Sequence, residues 1–150
     1  MYRITKQARK FWCLSLADKG LALQTLALLW AIRLAMWLLP YATLRRWVGR
    51  LQQPGNPPQD VTLMTNKIVL ATASAGRFVP DATCLAQSLT AQTLLTRRGC
   101  PHEFRLGVAR GDNGGIKAHA WIENNGEVIL GLLPDLASYT VLAYPQSGQF

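Results

Sequence analysis

The chain has 150 residues, a formal net charge of +8 and a hydrophobic share of 49%. That is room for one domain with a real core plus an appended helical segment, and too little for two independent domains. Three cysteines, Cys13, Cys84 and Cys100, at irregular spacing and without a Cys-x-x-Cys or Cys/His cluster, argue against a zinc module or a disulfide framework, so a reducing cytoplasm is the expected setting and neither metal nor cofactor is expected.

The charge is lopsided: residues 1–53 hold nine Lys/Arg against Asp18 alone. Such a balance suits an anionic membrane surface or an acidic partner protein, whereas the absence of any nucleic-acid fingerprint places nucleic acid last. Residues 1–10 are basic and polar and lack the small-residue cleavage site of a secretory signal, so they read as a lead-in. Residues 21–39 are the most apolar stretch and end at Pro40; rich in Leu and Ala, they predict a helix. Gln24 and Arg33 count against a membrane span, since a central arginine costs roughly 2.5 to 3.5 kcal/mol. A helix buried against the domain or a partner is the first reading, a membrane-surface helix the second and a span the third. A short helix follows over 40–51, with Leu44, Trp47 and Val48 inward and Arg45, Arg46 and Arg50 outward.

The stretch Gln52-Gln53-Pro54-Gly55-Asn56-Pro57-Pro58 admits neither helix nor central strand. A linker over 54–60 therefore divides an N-terminal helical segment, 1–53, from a core over 61–150. Residues 61–77 are moderately helical and stop near Gly76. A second helix in the core begins in Pro80-Asp81-Ala82-Thr83-Cys84-Leu85-Ala86 and runs to Arg97-Arg98-Gly99, where a glycine and Pro101 end it. With Asp81 as N-cap, Cys84 is the third helical residue, where free amides and the macrodipole favour an anion such as a thiolate. The competing reading is that Cys84 is a small buried apolar residue.

Beyond Pro101 the period changes from helical to alternating. Phe104 to Arg110 and Lys117 to Glu123 predict strands around a Gly111–Gly115 loop; Asn124-Asn125-Gly126 predicts a hairpin turn into Glu127 to Leu130, and residues 139–144 an edge strand. A short antiparallel sheet packed on the cysteine helix is an α+β layout. His119 lies inside Ala118-His119-Ala120-Trp121-Ile122-Glu123 and shares a strand face with Trp121 and Glu123. A strand packed against a helix start brings an imidazole toward a thiol there, the pairing that cysteine peptidases use. An orienting acceptor is then needed on the far ring nitrogen; Asp135 is the best placed, with Asp112 and Glu123 as further options. The Cys84 amide is a natural oxyanion donor. Trp121 would line a shallow site accepting a small or β-branched side chain. His102 beside Pro101 reads as a surface residue.

The blocks Thr83-Cys84-Leu85-Ala86-Gln87-Ser88-Leu89, Leu94 to Gly99, Leu106-Gly107-Val108 and Ala118 to Glu123 with Gly126 resemble the transglutaminase-like leader peptidases of lasso-peptide biosynthesis, the maturation B proteins, over roughly Ala82 to Asp135. The Leu-rich run ending in Leu39-Pro40 and the Leu44-Arg45-Arg46 that follows resemble the stand-alone peptidase form of that family. The resemblance implies a transglutaminase-like, papain-like core and a Cys-His-Asp peptidase with Cys84 as nucleophile and His119 as base. It implies removal of the leader from a ribosomally made precursor, working with a separate leader-recognition protein and ahead of an ATP-dependent lasso cyclase. The sequence departs from that pattern at Gly131, near where the family carries an acidic residue; a small shift in register would let Asp135 take the role. Two alternatives stand beside this reading: acyl transfer to an amine through the same thioester, and a non-catalytic basic adaptor that docks a partner at the membrane surface.

Overall fold

The computed structural model describes residues 13–142. The basic lead-in and the part of the expected edge strand beyond residue 142 lie outside the described residues. Four helices are described: α1 (Leu16–Leu38), α2 (Tyr41–Leu51), α3 (Val61–Ala75) and α4 (Cys84–Arg97). Four strands follow: β1 (Glu103–Arg110), β2 (Ile116–Asn124), β3 (Glu127–Leu130) and β4 (Thr140–Val141), in the spatial order β3-β2-β1-β4 and antiparallel throughout. The architecture is α+β.

Helix α1 starts five residues earlier than its apolar run, because Ser15 caps it by accepting from the Asp18 amide at 3.1 Å and Asp18 places a carboxylate in the first turn. Pro40 ends it by forcing Leu39 into extended backbone, φ −119°, ψ 144°. Leu21, Thr25, Leu29 and Ile32, spaced at helical intervals, form its buried stripe. Lys67 of α3 closes on Asp18 at 2.9 Å, a hydrogen-bonded ion pair that, with Ser15, holds the Asp18 carboxyl below the usual carboxylate range.

The described part of the helical segment, residues 13–53, does not stand apart. Leu29 and Ile32 of α1, Leu44 and Val48 of α2, Ile68 of α3, Leu94 and Leu95 of α4, Phe104 of β1 and Ile122 of β2 belong to one hydrophobic core. The Pro/Gly linker is laid against this body: Gly55 donates its amide to the Thr96 carbonyl at 3.1 Å, and a Cβ at Gly55 would overlap the Arg97 carbonyl. Glycine is needed there because two backbones meet. Gly99, at φ 62°, takes the left-handed position past the end of α4.

His102 is not a free surface residue. Its Nδ1 donates to the Cys100 carbonyl at 2.9 Å, and Nε2 faces the Thr96 hydroxyl at 3.4 Å, tying the end of α4 to the start of β1. Burial lowers its pKa below the ordinary histidine value, the Cys100 bond opposing the shift in part.

In the sheet, β1 and β2 pair from Glu103↔Glu123 to Arg110↔Ile116, which sets Gly107 opposite His119. Asn125 and Gly126, at φ 51° and 80°, make the tight turn into β3. Strict alternation divides β2: Ala120 and Ile122 enter the core shared with the helices, while His119 and Trp121 point to the other face. There they meet Tyr139, from the segment that returns after β3.

Candidate active site

Cys84 is the first residue of α4, and its side chain is half-buried and free of any disulfide. The cap is Thr83, not Asp81: Thr83 has the extended backbone a cap requires, φ −65°, ψ 158°, and its hydroxyl accepts from the Ala86 amide at 3.3 Å. Asp81 instead turns left-handed, φ 52°, and extends an 86% exposed carboxylate toward Arg33 of α1 at 3.9 Å. Cys84 is therefore nearer the helix terminus than the sequence suggested. The Ala86 amide is taken by the Thr83 hydroxyl and the Gln87 amide by the Thr83 carbonyl, so the amides still directed outward in this turn are those of Cys84 and Leu85. Gln87 anchors the approach by donating from Nε2 to the Ala82 carbonyl at 3.0 Å.

His119 is 7% exposed, and its Nε2 donates to the Gly131 carbonyl at 2.6 Å. A carbonyl only accepts, so Nε2 carries the hydrogen, and in the neutral ring Nδ1 holds the basic lone pair. The group on Nε2, where Asp135 was expected, is thus a backbone oxygen. Asp135 is exposed and precedes the 3₁₀ turn Leu136–Ser138, where its carbonyl accepts from Ser138; its carboxylate makes no hydrogen bond to His119 among the described residues. Asp112 is exposed and lies 3.6 Å from Lys117, and among the described residues its carboxylate makes no hydrogen bond to His119.

Gly131 is suited to this role by its φ of 86°, which lets the chain turn back after β3 with the carbonyl aimed at the ring. A Cβ there would sit 3.0 Å from both the Ala120 oxygen and Trp121 Cβ.

Packing fixes the ring on its other sides. Trp121 stacks on it at 5.9 Å between centroids and 17° between planes, and Tyr139 tilts against it at 5.8 Å. Trp121 is buried rather than lining an open site. Its Nε1 donates to Glu123 at 2.7 Å, Glu123 accepts from Arg105 at 3.2 Å, and Arg105 also pairs with Glu103. Glu123, a further option for the acceptor, therefore acts on Trp121. The indole has space because Gly107 lies beneath it; a Cβ at Gly107 would come within 2.8 Å of the ring.

Helix α4 packs on β2 through the face that bears Ala120 and Ile122, so the structure joins the two elements while the His119 ring lies on the opposite face of its strand. The Cys84 thiol makes no hydrogen bond among the described residues, to His119 or to any other group. No group of three or more His, Cys, Asp or Glu able to hold a metal ion occurs among the described residues.

The family model of the transglutaminase-like superfamily matches residues 26–144. The chain belongs to the transglutaminase-like superfamily. The match opens inside α1 and runs past β4, taking in both the cysteine helix and the histidine strand. Transglutaminase-like membership carries chemistry of the cysteine-peptidase and acyl-transferase type. No curated protein and no solved structure is significantly similar to the chain.

The features that sequence reasoning missed are the Thr83 cap, the Gln87 anchor and the Gly131 carbonyl. The first two left a signal in the polar residues flanking Cys84; a main-chain acceptor leaves none.

Proposed function

We propose that this transglutaminase-like chain is a cysteine peptidase that cleaves an amide through a thioester on Cys84, with His119 as general base and the Gly131 carbonyl, in place of Asp135, as the group that orients it. The observation that carries the reading is the His119 Nε2 to Gly131 bond, because it leaves Nδ1 as the nitrogen able to take a thiol proton.

In the first half-reaction the Cys84 proton passes to Nδ1 and the sulfur attacks the scissile carbonyl carbon. The carbonyl oxygen takes up negative charge opposite the outward amides of Cys84 and Leu85. The carbon–nitrogen bond then breaks and the imidazolium returns its proton to the departing amine. Water, deprotonated by the same nitrogen, releases the acid and restores the thiol. Hydrogen bonds of this kind are commonly long without substrate and shorten in the reacting complex.

The substrate we assign is the leader–core junction of a lasso-peptide precursor, presented by a separate leader-recognition protein and passed on to an ATP-dependent cyclase. Support for this finer assignment is the likeness of the Thr83 to Leu89, Leu94 to Gly99 and Ala118 to Glu123 blocks to those leader peptidases. The test is release of leader from precursor in the presence of the recognition partner. Cys84→Ala and His119→Ala are each expected to abolish it, and retained cleavage in either ends the proposal. Product mass separates hydrolysis, which adds water, from transfer to an amine, which adds the amine.

A further inference from the structure

The outward face of α1 is covered by no other part of the described chain, and we propose that it docks flat on an anionic lipid bilayer. Leu16, Leu23, Trp30 and Trp37 recur every seven residues along it, with Ala27 and Leu34 between them; all six are exposed, Trp37 to 80%. Residues at that spacing line one side of a helix, so this side is apolar apart from Lys19 in its first turn, which the same spacing sets in line with Trp37.

By length and composition α1 is able to cross a bilayer, yet its other side prevents it from leaving the fold. Leu29 and Ile32 are fully buried in the core, and Arg33 reaches Asp81 beside the cysteine helix. A helix with one side held by protein and the other apolar lies in the membrane plane, its outer side among the headgroups and first methylenes. Trp30 and Trp37 place indoles where such rings prefer to sit.

Charge selects the occupant. Residues 1–53 hold nine Lys/Arg and one acid, Asp18, and Asp18 is engaged by Lys67. Arg46 and Arg50 are exposed on α2, just beyond the Trp37 end, and Lys19 lies near the opposite end. A second copy seated on this side would bring basic ends against basic ends in parallel or antiparallel pairing. Anionic headgroups complement both ends at once.

The test uses the full chain and lipid alone, so it stands or falls separately from the peptidase reading. In flotation with vesicles, the chain is expected to bind phosphatidylcholine mixed with phosphatidylglycerol, to bind pure phosphatidylcholine poorly, and to be released by salt. Arg46→Gln with Arg50→Gln should weaken binding about thirtyfold. Trp30→Gln with Trp37→Gln, both at exposed positions, should abolish it while the thermal unfolding curve stays that of the parent. Failure to bind phosphatidylglycerol vesicles overturns the proposal. So does binding that ignores lipid charge. Sedimentation showing a dimer that the tryptophan pair dissolves, without lipid binding, assigns the face to a second copy; capture by an acidic protein with no lipid binding assigns it to that partner.

Discussion

A histidine held through Nε2 by a carbonyl has its tautomer chosen by the backbone, and Gly131 supplies that carbonyl at a φ of 86°. Alanine at this position incurs about 1–2 kcal/mol of left-handed strain and sets a Cβ 3.0 Å from the Ala120 oxygen. Gly131→Ala is therefore expected to turn the carbonyl off the ring and lower kcat by at least about tenfold with little change in KM, read from steady-state cleavage of precursor. Asp135→Asn, altering a carboxylate that does not reach the ring, should leave kcat within about twofold. The reverse pattern would return the orienting role to Asp135. Asp135 looked suitable from sequence because it is an acid following the expected strand; which oxygen a turn aims inward depends on a dihedral angle, and residue type does not encode it.

At the scale of elements, the helices and the first three strands were legible because each carries its own period and its own stop signals. Pro40, Gly99 and the Asn125-Gly126 turn mark boundaries that the structure keeps. The start of α4 was misplaced because Asp81 and Thr83 are both good capping residues. Local sequence cannot arbitrate between them; the Gln87 bond to the Ala82 carbonyl and the left-handed turn at Asp81 do. Thr83→Ala removes the acceptor of the Ala86 amide and should cost about 1 kcal/mol, seen as a fall of a few degrees in Tm by calorimetry, whereas Thr83→Ser should keep most of the stability. Because the same cap holds the turn that presents Cys84, the alanine variant should also lose reactivity toward a small thiol reagent relative to the serine variant.

For the molecule as a whole, the sign of its acid response follows from His102. Its folded pKa is lowered by burial, so the unfolded chain binds the proton more readily. The stability this contributes is full above the ordinary histidine value of about 6.5 and is lost as the pH falls through the lowered folded value. Urea midpoints measured across that window should fall on acidification, and His102→Gln should remove this part of the slope. Asp18, lowered by Lys67 and Ser15, adds a second loss below the ordinary carboxylate range, with the same sign. The α+β class could be read from the change of period after Pro101, and burial of the apolar run of α1 against the domain or a partner from its composition; the course of the linker could not, because it depends on Gly55 meeting the end of α4, a contact between distant parts of the chain.

That His119 leans on a main-chain oxygen also changes what genetics can see. A scan replacing every Asp and Glu would find no third member of the site, since the atom in question belongs to no side chain. Substitutions reach it only indirectly, by bending the chain at Gly131. The variants expected to disable the histidine while sparing the fold thus cluster at a single glycine codon, a position that a search for missing acids would pass over.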